Sequence, residues 1–100
     1  MSDRFPLLAD FAVVVLHEDI DESTYALDDM VDHAASLPPE MNLQLSAECR
    51  SVALLRGEAL WAALDEIHWV WRAATPTETA EMFGHFADLF EGVAEELSAA

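Results

Sequence analysis

Apolar residues recur every three or four positions along most of this 100-residue chain, and that spacing is the strongest constraint on its fold. In the last segment, Phe83, Phe86 and Phe90 follow it as in the narrow apolar seam of a coiled coil. The valine run 13–15 is typical of a strand, but no second strand pattern is present to pair with it. The sequence therefore predicts an all-α fold, a small bundle of about four helices in one domain over residues 1–100.

Prolines and capping residues divide this pattern into segments. Pro38 and Pro39 should end the second helix, because the residue before a proline avoids helical backbone angles. Thr75 should cap the last helix, with Pro76 in its first turn and Glu78 completing a capping box. The predicted helical segments cover about residues 3–17, 24–37, 40–74 and 76–97.

The third segment is too long for a compact domain. As one helix it would extend about 50 Å, whereas a compact chain of this size has a radius of gyration of about 13 Å. Arg56 interrupts its apolar stripe, and Gly57 follows directly. Either the helix kinks near Gly57 and turns Arg56 outward, or it stays straight with Arg56 paired to a carboxylate.

The charge of the chain limits its partners. Twenty aspartates and glutamates oppose four arginines, for a formal net charge of −16. Such a field repels phosphate, so nucleic acid and anionic membrane are poor direct partners, whereas a basic protein surface is a suitable one. The single cysteine, Cys49, excludes an internal disulfide and favours a reducing compartment, and no N-terminal signal is recognised. We therefore expect a cytoplasmic protein.

The acidic residues are concentrated in two sets, which are the candidate partner-binding residues. The first set comprises Glu18, Asp19, Asp21, Glu22, Asp28, Asp29 and Asp32. The second set lines the polar face of the last helix and comprises Glu78, Glu81, Asp88, Glu91 and Glu95. Carboxylates in rows without interleaved lysine repel each other by a few tenths of a kcal/mol per pair, roughly. They predict charge-assisted hydrogen bonds to a partner's Arg and Lys; the alternative is a solvated face that serves solubility.

Three tryptophans lie in the third segment. On one continuous helix Trp71 would join the apolar stripe, Trp69 would point nearly opposite, and Trp61 would lie to the side. Tryptophan is favoured at binding hot spots, so Trp61 or Trp69 could supply an apolar anchor for a partner. The alternatives are a central helix that is buried on all sides and a self-association interface.

Metal binding and catalysis find less support in the sequence. The histidines each have a carboxylate at helical reach, but only Asp65 and His68 approach the Glu-x-x-His pattern of di-metal bundles. Cys49 lies on an apolar stripe, which indicates a buried and inert thiol. No glycine-rich phosphate loop and no nucleophile elbow is present. We expect no catalytic residue, no metal and no cofactor, with a metal-binding bundle as an alternative.

These features together favour a protein that acts by binding another protein. In size, charge and helicity the chain is similar to small phage-encoded inhibitors, such as anti-CRISPR proteins, that imitate nucleic acid. That resemblance implies an inhibitor or regulator whose acidic helical faces occupy a basic, nucleic-acid-binding surface of its partner. The rival hypothesis is a homodimeric helical bundle of structural, antitoxin or immunity type.

Overall fold

The computed structural model describes residues 5–15, 24–69 and 72–99, and within these ranges the chain forms five α-helices and no strand. The helices are α1 (Pro6–Val15), α2 (Thr24–Ala35), α3 (Pro39–Ala53), α4 (Glu58–Glu66) and α5 (Pro76–Ala99). The all-α prediction is confirmed. There are five helices rather than four because the third predicted segment divides into α3 and α4. No helix in the described part of the chain is both long and apolar enough to cross a membrane.

The α3–α5 pair forms the centre of the bundle, and α1, α2 and α4 pack around it. The buried positions Leu45 and Val52 of α3 and Phe83 and Phe90 of α5 follow the three- and four-residue spacing seen in the sequence. The ring of Phe11 in α1 meets the rings of Phe90 and His33 edge-on, with centroid distances of 5.4 Å and 5.1 Å. The radius of gyration is 12.7 Å, as expected for a compact chain of this length.

The break between α3 and α4 lies at residues 54–57. Gly57 has φ 53° and ψ −130°, which a residue with a Cβ atom adopts only with strain. Arg56 is exposed, and its guanidinium donates hydrogen bonds to the carbonyls of Ala53 and Leu55, both at 3.0 Å. The predicted kink is therefore confirmed, and Arg56 satisfies carbonyls at the end of α3 rather than a carboxylate.

The end of α4 differs from the prediction of a helix that continues to about residue 74. His68 has φ 58°, in the left-handed region. The amide of Trp69 then donates to the carbonyl of Leu64 at 2.9 Å, and the amide of His68 donates to that of Asp65 at 3.2 Å. This pair of bonds is a Schellman motif, which ends the helix and reverses the chain.

The start of α5 confirms Thr75 as the cap, although Glu78 bonds to the Thr75 hydroxyl and not to its backbone amide as in a capping box. The amide of Glu78 donates to Thr75 Oγ1 at 3.2 Å, and the Thr75 hydroxyl donates to Glu78 Oε1 at 3.1 Å. The buried hydroxyl of Thr79 adds a second link, because it donates to the Thr75 carbonyl at 2.9 Å and accepts from the Ala73 amide at 3.0 Å. The segment before α5 is therefore held against the first turn of the helix.

A buried carboxylate holds the start of α1. Glu48 of α3 accepts hydrogen bonds from the amides of Leu8 at 3.0 Å and Leu7 at 3.4 Å, and Gln44 Nε2 donates to it at 3.1 Å. Those two amides belong to the first turn of α1, where amides lack partners within the helix and the dipole favours an anion. Glu48 therefore caps α1 from a position about forty residues later in the chain. This role explains why a carboxylate is buried in the core.

Candidate functional site

The two predicted acidic sets differ in how much of them the structure describes. Asp32 of the first set lies on α2 and is exposed. Glu18, Asp19, Asp21 and Glu22 lie outside the described residues, as do the side chains of Asp28 and Asp29. The second set lies entirely on α5 within the described part of the chain.

We call the carboxylates of the second set the acidic face: Glu78, Glu81, Asp88, Glu91 and Glu95. All of them are exposed except Glu91, which is half-buried. The helical period places them on the side of α5 away from Phe83 and Phe90, as predicted. At 1.5 Å per residue, the face extends about 26 Å along the helix from its first carboxylate to its last.

Arg50 of α3 neutralises the edge of the acidic face next to α3. Its guanidinium lies 2.7 Å from Glu91 Oε1 and 3.3 Å from Asp88 Oδ1. The Ser46 hydroxyl also donates to Glu91, at 3.2 Å. The hydrogen bond from Arg50, and to a lesser extent that from Ser46, lowers the pKa of Glu91, and the same contact with Glu91 raises the pKa of Arg50. Two of the five carboxylates therefore share one cation within the molecule, which reduces the charge that this edge offers to a partner.

The other carboxylates of the acidic face form no ion pair within the described residues. Within the described residues, ion pairs join arginines to Asp65, Asp88 and Glu91. Glu81 and Glu95 enter none of them, and Glu78 bonds only to its capping residue. Glu78 and Glu81 therefore lie together near the start of α5, and Glu95 lies about 21 Å farther along the helix.

A groove runs between α3 and the first half of α5, beside the acidic face. It contains two open clefts of about 320 Å³ and about 300 Å³. The first is lined by Arg50, Ala53, Leu54 and Gly84, and the second by Ala53, Arg56, Thr77, Ala80 and Glu81. The lining of the two clefts is partly apolar and carries two arginines and one carboxylate.

The two candidate tryptophan anchors lie in different environments. Trp69 is 0% exposed, and its ring packs 5.1 Å from that of Phe83 and 6.0 Å from that of Phe86. The prediction that Trp69 is an exposed anchor is therefore wrong. Trp69 is buried, but not on a helix that is buried on all sides, because α4 ends at Glu66 and carries exposed residues. The reason is that α4 ends before Trp69, so the helical angle that pointed it to solvent does not apply. Trp71 lies outside the described residues.

Trp61 is half-buried, and Arg72 covers one face of its ring. The Arg72 guanidinium carbon lies 5.3 Å from the ring centroid, within cation–π distance. The same side chain donates to Asp65 Oδ1 at 2.6 Å and to the Trp69 carbonyl at 2.9 Å. Trp61 and Arg72 thus hold the turn after α4, and only the remaining surface of Trp61 is accessible to a partner.

The candidate metal ligands can be compared only where the structure describes their side chains. Among the residues that the structure describes, no group of three or more His, Cys, Asp and Glu is placed to hold a metal ion. The His33 ring instead meets that of Phe11 edge-on at 5.1 Å, and His68 and His85 are exposed. Cys49 is buried, as predicted, and its burial raises the pKa of the thiol well above its usual range. A protonated thiol without access to solvent is a poor nucleophile.

Sequence reasoning missed the polar contacts of Arg50 and Glu48, which are two of those that connect α3 to its neighbours. Each of these side chains contacts a residue about forty positions away, and no local pattern indicates such a pairing. In comparisons with known proteins, no family model, no curated protein and no solved structure matches this chain.

Proposed function

We propose that this protein is a non-catalytic inhibitor or regulator that binds a basic surface of a partner protein through the acidic face of α5. The partner surface would be one that otherwise holds nucleic acid. The mechanism is competition, in which carboxylates take the place of phosphates and make charge-assisted hydrogen bonds to the partner's Arg and Lys. Electrostatic attraction would also accelerate the encounter and set its register.

The observation that carries the proposal is the exposed row of carboxylates on α5. Anions at helical neighbour spacing have Cβ atoms about 5–6 Å apart and repel one another. Within the described residues, Arg50 is the arginine that forms ion pairs with this row, and it contacts Asp88 and Glu91. A basic partner would offset the repulsion that remains between these carboxylates. Placing them close together costs free energy in the unbound protein and would favour binding.

The distribution of the other carboxylates supports the same function. Except for Glu48 and Glu91, every aspartate and glutamate whose side chain the structure describes is exposed, so their negative charge lies at the surface. The one buried carboxylate is already used as the cap of α1.

Affinity capture from the source cell tests the proposal. The bait is the wild-type protein, and the test variant carries Glu78→Gln, Glu81→Gln and Glu95→Gln. A matched control carries Glu40→Gln, Glu58→Gln and Glu66→Gln, which remove the same charge from exposed sites on α3 and α4. We expect mass spectrometry to identify a basic partner that is captured by wild type and control, lost with the test variant, and released at high salt.

Competition with nucleic acid is the second part of the test. The captured partner is mixed with its labelled nucleic acid, and binding is followed by fluorescence anisotropy while the acidic protein is added. We expect displacement by wild type and by the control, but not by the test variant. Capture that is indifferent to salt, or equal loss with both variants, would overturn the proposal, and so would binding that leaves the nucleic acid in place.

A further inference from the structure

A small apolar pocket lies where α1, α2 and α3 meet, and its volume is about 100 Å³. Its lining includes no residue of α5 and therefore none of the acidic face. Two polar residues contribute to it, Asp10 of α1 and His33 of α2. The other walls are apolar and are formed by Leu7, Phe11, Leu37, Met41 and Leu45. Apolar walls with a small number of polar groups are typical of ligand sites.

Two buried hydrogen-bonding side chains fix the walls of this pocket. Asn42 is 0% exposed, and its Nδ2 donates to the carbonyls of Ala34 at 2.9 Å and Leu37 at 3.4 Å, which holds the turn between α2 and α3. Glu48 holds the first turn of α1, where it accepts from the amide of Leu7 at 3.4 Å. Leu7 and Leu37 lie on opposite sides of the chain's α1–α2 connection, and both line the pocket. The pocket is thus formed by the fold itself, so a ligand would not have to organise its walls.

Asp10 determines the charge of a suitable ligand. When histidine is counted as neutral, it is the one formally charged residue among those that line the pocket. Asp10 is exposed, which places it at the mouth, and it enters no ion pair within the described residues. The net charge of −16 also attracts cations and repels anions over the whole surface. A cationic ligand with an apolar part therefore matches the pocket.

The volume of the pocket favours an unbranched chain. An apolar cavity of about 150 Å³ accommodates benzene, so a pocket one third smaller is too small for an aromatic ring. A chain of about four carbons, the length of a lysine stem, is a better match. Such a chain lies along apolar surface while its compact ammonium group stays in water, here next to Asp10. The planar guanidinium of arginine is a larger and more rigid head group.

We propose that this pocket binds a linear primary alkylammonium group, with its carbon chain against the apolar walls and its ammonium group at Asp10. A lysine side chain of a protein and a free aliphatic amine both offer this chemistry. Burial of the methylene groups would supply most of the affinity, and Asp10 would select the cation. The site lies apart from the acidic face, so this inference goes beyond the proposed function and does not depend on it.

The test is a titration of the ¹⁵N-labelled full chain with n-butylammonium chloride, followed by NMR. Ethylammonium, n-butanol and butyrate are compared at matched ionic strength. The variant Asp10→Asn removes the charge at the mouth, whereas Asp32→Asn removes the same charge from an exposed position of α2 outside the pocket. Leu37→Trp fills the pocket, and Leu43→Trp adds the same side chain to α3 at a position that is 54% exposed and outside the pocket. Circular dichroism verifies the fold of each variant, and Asp10→Asn, at an exposed site, tests the proposal if Leu37→Trp does not fold.

Wild type should bind n-butylammonium at least about tenfold more tightly than ethylammonium, since each buried methylene contributes about fourfold. It should bind n-butanol about threefold more weakly than n-butylammonium, which is the effect of an exposed ion pair, and butyrate more weakly still. Asp10→Asn should lose the same factor and Leu37→Trp should not bind, while both control variants behave as wild type. Equal affinity for ethylammonium and n-butylammonium would overturn the proposal. Unchanged affinity in Asp10→Asn, or an equal loss in Asp32→Asn, would overturn it as well.

A further arm of the titration distinguishes the two sources of the ligand. Nα-acetyl-lysine methylamide carries the lysine side chain on a short piece of backbone. Affinity equal to that of n-butylammonium supports a lysine of a protein as the occupant, whereas affinity at least about tenfold lower supports a free amine, because the backbone then does not fit at the mouth. The variant with Glu78→Gln, Glu81→Gln and Glu95→Gln should bind n-butylammonium as wild type does. Failure of the pocket therefore leaves the proposed function intact, and failure of the proposed function leaves the pocket intact.

Discussion

Two interruptions separate α3 from α4 and α4 from α5, and they are built in different ways. At the first, Gly57 has a backbone conformation that glycine adopts without a steric penalty. At the second, His68 has a left-handed conformation that its Cβ atom makes costly, by about 1–2 kcal/mol. The second is held in place by the burial of Trp69 that follows it. A helix can thus end because its terminal residue favours a non-helical backbone, as at Gly57. It can also end because burying the following side chain stabilises the turn, as at Trp69.

The largest expected effect is on the second interruption. Trp69→Ala should lower the free energy of unfolding by about 3–5 kcal/mol, because it removes a fully buried ring that contacts Phe83 and Phe86. Urea denaturation followed by circular dichroism measures the change. Trp61→Ala is the control, since Trp61 is only half-buried, and it should cost clearly less. Equal losses in the two variants would contradict the role of Trp69 burial.

At the first interruption, we expect backbone strain to lower the free energy of unfolding. Gly57→Ala should destabilise the protein by about 1–3 kcal/mol, because alanine at this φ and ψ is strained. The control Gly92→Ala lies within α5 with open space at its Cβ position, and it should stabilise by up to about 1 kcal/mol. Thermal or urea unfolding gives both values. Stabilisation by Gly57→Ala would mean that the helix is continuous there.

The comparison is sharpened by placing glycine at the second interruption. His68→Gly should raise the free energy of unfolding by about 1 kcal/mol, because glycine adopts the left-handed conformation without the clash of a Cβ atom. His68→Ala keeps the Cβ atom and should give no such gain. If the two variants are equally stable, the left-handed turn does not limit stability.

Each interruption also has an arginine that contacts main-chain carbonyls. Arg72 contacts Trp61, Asp65 and the Trp69 carbonyl, whereas Arg56 contacts two carbonyls from an exposed position. Arg72→Ala should therefore cost about 1 kcal/mol, roughly the value of a partly desolvated cation–π contact. Arg56→Ala should cost less, and urea unfolding of both variants checks the order. A larger loss of unfolding free energy for Arg56→Ala than for Arg72→Ala would contradict this order.

The smallest effect should come from Arg50, in the last turn before the first interruption. Its hydrogen bond lowers the pKa of Glu91, so the pair contributes stability above the unfolded pKa of that carboxyl group. The contribution is lost as the pH falls through the lowered pKa of the folded state. The melting temperatures of wild type and Glu91→Gln should differ slightly at neutral pH and converge in acid. A difference that grows in acid would contradict the direction of the shift.

Local rules predicted the parts of the fold that depend on residue type. Pro38 and Pro39 marked the end of α2, Thr75 and Glu78 marked the start of α5, and Gly57 marked the first break. The end of α4 was missed because His68 is not a residue that signals a left-handed turn, and a glycine there would have indicated it. The same missed boundary made the prediction for Trp69 wrong. Its side chain was expected to point to solvent from a continuous helix, but α4 ends before this residue.

By itself, the sequence determined the helical class, most helix boundaries and the side of α5 on which the carboxylates lie. These properties follow from spacing and capping within a few residues, so they need no knowledge of the neighbouring helices. Only the tertiary structure decided the burial of Trp69, the capping of α1 by Glu48, the pairing of Arg50 with the acidic face and the groove beside Gly84. The physical reason is that each of these depends on how helices pack against one another, which brings together residues that are far apart in the chain.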